Sequence, residues 1–146
     1  MTAKHFDLFL GFNRAHAVVS RRFGATLGAL HGLALNDLHL LQALEAAPEH
    51  RLRRGELARQ LGVTPSGVTW MLRPLIKRRL VTSRPDPSDA RASFAVLTEA
   101  GHRIVAEALP TARRLSAEVL NPHVRGQALG PLAELLAALA EPPDET

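Results

Sequence analysis

Two hydroxyls, an indole and two cations recur every three or four residues in the segment TPSGVTWMLRPLIK, as Ser66, Thr69, Trp70, Arg73 and Lys77. On a helix this spacing gathers them on one side and leaves Val68, Met71, Leu72, Leu75 and Ile76 on the other. The chemistry on offer is hydrogen bonding to planar edges and to anions. A guanidinium can grip a guanine or a phosphate with two bonds, and hydroxyls can exchange hydrogen bonds with bases or with the backbone around them. For Arg73 the phosphate takes precedence, because at least half of protein–DNA hydrogen bonds go to phosphate and sugar. Trp70 has two readings of equal weight, packing against the body of the domain or touching a thymine methyl or a sugar.

The surrounding charge favours a polyanionic partner. Ten basic residues and three acidic ones lie between Arg51 and Arg91, a local balance of +7 against +4 for the whole chain, so the rest sums to −3. A basic middle between mildly acidic ends suits a chain of which only the middle approaches a polyanion such as a DNA backbone. The alternative, a solvated charged surface, is common for scattered charges and less so for charge segregated in this way.

These residues need elements to hold them. Glu56–Leu61 reads as a short helix stopped by Gly62, and Thr64, Pro65 and Ser66 open the next, with Thr64 as cap and Pro65 where its missing N–H costs nothing. Helix, tight turn and helix make a helix-turn-helix, whose second helix presents its early residues to the major groove. Pro74 lies inside that helix and predicts a tightening or kink. Leu52 suits a short edge strand. Val81–Arg84 and Ser93–Leu97 read as strands around a polar turn, 85–90, that holds Asp86, Pro87, Ser88 and Asp89; Arg84 on the entering strand is placed for a phosphate.

Helices flank this core. Phe6, Phe9, Leu10, Phe12, Ala17, Phe23, Leu27 and Leu30 predict a long amphipathic helix, and Leu38, Leu41 and Leu44 a second of about ten residues that stops at Pro48. Thr98 caps a further helix, expected to reach about Leu120 with a bend at Pro110, although Gly101 is a weak residue near its start. After Asn121 and Pro122 a last helix carries the stripe Leu132, Leu135, Leu136, Leu139, and EPPDET reads as a frayed tail.

The run LARQLGVTPSGVTWMLRPLIKRRLV followed by DPSDARASFAVLTEAG resembles the winged helix-turn-helix core of the MarR family of bacterial regulators, over about residues 56–101. The resemblance implies a mainly α fold with a small β-hairpin wing, the winged helix-turn-helix core extended by N- and C-terminal dimerisation helices. It divides one intertwined domain into a DNA-binding region, 35–99, and a helical dimerisation region, 1–34 with 100–146. It further implies an obligate homodimer, expected to act as a repressor, on a pseudo-palindromic operator of double-stranded DNA. Asp89 and Arg91 match the family's wing Asp-x-Arg, in which the arginine enters the minor groove and the aspartate orients it; a narrow groove concentrates negative potential and favours such an insertion. The competing reading has Asp86, Asp89 and Arg91 merely closing the hairpin by ion pairing. The sequence departs from the family at Trp70, where many members are basic, at Pro74, at Arg79 in place of a common glycine, and at Ser88 in place of a wing arginine. The resemblance also implies a small-molecule effector, such as an aromatic acid, between the dimerisation helices and the DNA-binding lobe. Phe9, Phe12, His16, His31 and His39 are the candidate lining residues, against the plain alternative that an apolar stripe with polar interruptions is core.

Other functions find little support. With no cysteine there is no disulfide, thiolate metal site or thiol nucleophile, and no gly-rich phosphate loop, nucleophile elbow or paired carboxylate spacing appears, so neither an enzyme nor a cofactor is expected. The seven histidines form no H-x-x-x-H pair or evident His/acid cluster in sequence, so no metal is expected either. Lys4, Asp7 and Arg14 interrupt any signal-like core and no apolar run approaches a membrane span, which points to a cytoplasmic protein without a membrane partner. A winged helix that has lost DNA binding and serves protein interaction is the remaining alternative; the retained Arg73, Arg84 and Arg91 argue against it.

Overall fold

A computed structural model describes residues 3–124 and 129–141. Its elements are α1 (Ala3–His31), α2 (Leu35–Ala46), a 3-10 turn (Pro48–His50), β1 (Arg51–Arg53), α3 (Arg54–Leu61), α4 (Pro65–Lys77), β2 (Val81–Asp86), β3 (Asp89–Leu97), α5 (Glu99–Val124) and α6 (Gly130–Ala140). The class is the expected one, mainly helical with a small antiparallel sheet, in the order β1-β3-β2. Leu52 does sit on an edge strand, opposite Ala95.

The core gathers one apolar stripe from each element around α2. Leu40, Leu41 and Leu44 are fully buried there with Leu27 of α1, Leu57 of α3, Leu72 and Leu75 of α4 and Val105 of α5. A buried leucine contributes about 1.5–3 kcal/mol relative to leaving it exposed, so this cluster fixes how the helices cross. Only Phe23 and Leu27 of α1 are buried, whereas Phe6, Phe9 and Phe12 are 48–61% exposed within the protomer. The leucines of α6 are likewise exposed. The predicted frayed tail, from 142 onward, lies outside the described residues.

The ends of the short helices follow their caps. Gly62 stands at φ 65°, the left-handed region a glycine enters without a Cβ penalty, and closes α3 with its N–H on the Ala58 and Arg59 carbonyls. Thr64 Oγ1 accepts the Gly67 N–H at 3.1 Å, a cap worth about 1 kcal/mol, and Pro65 follows at the first helical position.

Several boundaries differ from expectation. α3 starts at Arg54, directly from β1, instead of at Glu56. α4 runs to Lys77 as its spacing requires, with Pro74 inside it, exposed one turn from the end, where it deprives only the Trp70 carbonyl of its helical partner. α5 carries both Pro110 and Pro122 and reaches Val124, so Pro122 does not end it; there it removes a single bond in the last turn. The polar turn of the hairpin is also shorter than read: strand pairing continues to Asp86↔Asp89, with a register shift at Pro85/Asp86, and leaves Pro87 and Ser88 at the tip. Pro85 is tolerated because β2 is an edge strand.

The hairpin tip is held by a buried carboxylate. Asp86 Oδ1 accepts the Ser88 N–H at 2.9 Å and its hydroxyl at 2.7 Å, and Oδ2 is ion-paired with Arg53 at 2.5 Å. These hydrogen bonds from Ser88, followed by the Arg53 charge, hold the Asp86 carboxyl below its ordinary value.

At the other end of the hairpin α5 packs on the exit of α4. Thr98 Oγ1 accepts the Gly101 N–H at 3.1 Å and lies 2.7 Å from the Arg79 carbonyl, to which its hydroxyl donates. The first turn of α5 comes so close that a Cβ on Gly101 would lie 2.3 Å from the Leu80 carbonyl oxygen and 2.5 Å from Leu97 Cδ1. Arg79 occupies a left-handed conformation at φ 59°.

Two predictions follow from these geometries. Gly101→Ala must push backbone against backbone and should lower unfolding stability by about 1–3 kcal/mol in urea, whereas Arg79→Gly should raise it by about 0.5–1 kcal/mol. Because the Asp86 pKa is depressed on folding, its stabilisation is complete at neutral pH and lost as the pH falls through the folded value. The stability gap between the wild type and Asp86→Asn should therefore narrow between about pH 7 and about pH 2; a constant gap would contradict this.

Candidate nucleic-acid interface

α4 divides as its spacing requires. Val68, Leu72 and Leu75 are buried, Met71 and Ile76 are half-buried against the same core, and Ser66, Thr69, Trp70, Arg73 and Lys77 are all exposed. The question of Trp70 resolves in favour of the outer side: it is 69% exposed, and the Arg73 guanidinium lies over its ring at 4.7 Å from the centroid. Such a stack contributes about 0.5–1 kcal/mol at an exposed site and presents the guanidinium and the indole together. The Thr69 hydroxyl donates to the Pro65 carbonyl at 3.3 Å, and Ser66 Oγ is 3.2 Å from Thr64 Oγ1. Both hydroxyls are exposed and retain acceptor capacity on their outer side.

α4 is braced at its C-terminal end. Arg78 donates to the Gly32 carbonyl at 2.7 Å, which ties the exit of α4 to the turn between α1 and α2. Its exposed side is thereby fixed relative to the long helices.

The hairpin places Arg84 and Arg91 in solvent. Asp89 does not hold the Arg91 guanidinium; its Oδ1 accepts the Arg91 backbone N–H at 2.9 Å and so shapes the start of β3. Nor does Arg91 close the hairpin by ion pairing, since Asp86 takes Arg53 as its partner. Arg91 instead lines an open cleft of about 450 Å³ with Arg53, Arg54 and Ser93, between the start of α3 and the wing. Arg53 and Arg54 were not singled out from the sequence; the alternation of β1 could have indicated Arg53, which shares a face with Arg51, both lying over the Phe94 ring at 5.8 and 4.7 Å from its centroid.

The five candidate effector residues do not converge on one cavity of the protomer. Phe9 and Phe12 line an apolar groove of about 580 Å³ with Leu132, Leu135, Leu136 and Leu139 of α6. His31 Nε2 is 2.9 Å from Thr111 Oγ1 of α5. The ring of His39 is held below its ordinary pKa by desolvation and then by the charge of His16.

Comparison with known proteins places these features. Residues 31–92 match the model of the MarR family. Among solved structures the chain is similar to Sco3205 of Streptomyces coelicolor, a MarR family transcriptional regulator in complex with DNA, with a TM-score of 0.89 and 24% identity over 100% of this chain and 93% of that one. It is also similar to the transcriptional regulator BldR of Sulfolobus solfataricus, with a TM-score of 0.82 and 24% identity over 96% and 99% of the two chains. A third similar structure is BpsR of Bordetella bronchiseptica, whose DNA binding is regulated by 6-hydroxynicotinic acid, with a TM-score of 0.72 and 19% identity over 91% and 96%. No curated protein sequence matches the chain. The segment that holds α2, α3, α4 and part of the wing thus matches the MarR family model, and the fold is held in common with these solved structures along nearly the whole chain.

Proposed function

We propose that the chain is a homodimeric, effector-responsive repressor that binds a pseudo-palindromic DNA operator, with α4 in the major groove and the wing reaching the flanking minor groove. The observation that carries this reading is the outer side of α4, where Ser66, Thr69, Trp70, Arg73 and Lys77 stand exposed above a fully apolar inner side. In the complex Ser66 and Thr69 hydrogen-bond to bases or phosphates, Arg73 and Lys77 take phosphates, and Trp70 supplies apolar contact to a thymine methyl or a sugar. Arg84 meets the backbone, and Arg91, aimed by the Asp89-braced start of β3, enters the minor groove. The basic groups of 35–99 supply the salt-dependent part of the affinity.

Dimerisation falls to residues 1–34 and 100–146. Phe6, Phe9, Phe12, Leu132, Leu135 and Leu139 are each 48–66% exposed in the protomer, large apolar side chains that a second copy would cover. The groove beside Phe9 and Phe12 and the histidines His16, His31 and His39 remain the effector candidates, and a dimer would bring further surfaces to them. No helix of the described residues is long and apolar enough to cross a membrane. This accords with a cytoplasmic protein whose partner is DNA. A winged helix restricted to protein interaction would leave the α4 cations without a role.

Retention of genomic fragments, titrated with salt, tests the reading. Specific fragments should survive above the nonspecific background, and Arg73→Ala and Arg91→Ala should each weaken their binding by about 1–3 kcal/mol while the fold is retained. No specific fragment, or unchanged affinity in both variants, would reject it.

A further inference from the structure

Away from the α4 face, three ligand-type side chains that are distant in sequence meet. Glu45 is near the end of α2, His50 precedes β1, and His102 lies in the first turns of α5. Each offers one ligand atom, and the three atoms lie within 4.8 Å of one another. His102 Nδ1 is 2.5 Å from Glu45 Oε2, and the two imidazoles meet edge to face with centroids 4.4 Å apart.

The tautomer of His50 follows from its partner. A backbone carbonyl only accepts, so the 2.9 Å contact between His50 Nδ1 and the Glu45 carbonyl requires Nδ1–H to donate. The Nε2 lone pair of the neutral ring is then free. One ring nitrogen given to a carbonyl and the other left bare is how metal-ligating histidines are commonly oriented. The backbone delivers the ring at a cost: Glu49 and His50 stand at φ 54° and 53°, two successive left-handed residues that bear side chains. Strain of this kind persists where the surroundings enforce it, and here it turns His50 back toward the end of α2.

We propose that Glu45, His50 and His102 bind a divalent transition-metal ion of the zinc class. Two imidazoles and one carboxylate are a nitrogen-rich donor set that suits zinc, whereas calcium and magnesium require oxygen donors. Zinc bonds of about 2.0–2.1 Å set tetrahedral donors about 3.3 Å apart, so the ion replaces the Glu45–His102 hydrogen bond by opening that pair slightly while the wider-spaced donors close in by side-chain movement. Glu45 and His102 have that freedom, with side chains 34% and 28% exposed, and His50 opens to solvent, which provides an entry path. Three protein donors leave a fourth position for water or an exogenous ligand. The bound ion joins the end of α2, the root of β1 and the start of α5.

Zinc titrated into the tag-free full chain against a chromophoric chelator tests this. One equivalent per chain should bind, and the ion should raise the thermal unfolding midpoint. His50→Ala and His102→Gln should each weaken the site at least about tenfold and abolish the thermal shift, while His123→Ala, an exposed histidine elsewhere on α5, should change neither. Glu45→Gln, nearly isosteric, should weaken binding with an unchanged circular dichroism spectrum, which keeps the test informative if a histidine variant fails to fold. No zinc bound by the wild type, or equal affinity in the wild type and the Glu45, His50 and His102 variants, would overturn the proposal.

Discussion

The packing of the first turn of α5 onto the exit of α4 is the contact on which the rest of the molecule depends. Leu80 and Leu97 converge there, the Leu80 carbonyl takes the Thr98 N–H at 3.1 Å, and the backbone at Gly101 approaches more closely than any Cβ allows. Through this junction α4, both strands of the hairpin and the longest helix of the C-terminal half share one fixed point. Arg78 adds a second brace by reaching Gly32 on the other side. With its exit pinned twice, α4 can expose a side composed almost wholly of polar, cationic and aromatic groups without support of its own beneath them. The apolar inner side, Val68, Leu72 and Leu75, supplies the rest of the anchoring.

The same junction explains why residues that look unfavourable in isolation belong here. Gly101 reads as a poor helix former, yet its lack of a Cβ is what lets α5 start where it does. Arg79 accepts a left-handed conformation that glycine would take more readily, at a cost of about 1–2 kcal/mol, because the turn must reverse before Leu80 can reach the core. Pro74 spares the inner side of α4, so it alters the backbone only where solvent can compensate.

Much of this was legible in the sequence, and the reasons are local. Thr64-Pro65 and Gly62 mark helix ends through their own backbone chemistry, and the three-to-four spacing of α4 assigns its two sides without reference to the rest of the fold. Part of what escaped depended on partners far along the chain, and part on side-chain bonds two residues apart. The hairpin pairs further toward its tip than its composition suggests because Asp86 is buried and bonded to Ser88, and Arg53 comes from a strand more than thirty residues earlier. Asp89 braces backbone where a side-chain partner was expected. Glu45, His50 and His102 have no helical spacing to betray them, since the 3-10 turn and the start of α5 bring them together only after folding. The boundary at Pro122 was misjudged because a proline in a last turn costs one bond and not the helix.

In the proposed function, α4 and the wing act as one reading unit, held at a fixed angle by the packing of α5 on the turn after α4 and presented twice by a dimer. Hydroxyl-radical footprinting on a retained genomic fragment measures that geometry directly. It should give two symmetric protected segments whose centres are about one helical turn apart, each flanked by minor-groove protection that disappears in Arg91→Ala. A single protected segment, or protection without periodicity along the DNA, would contradict it.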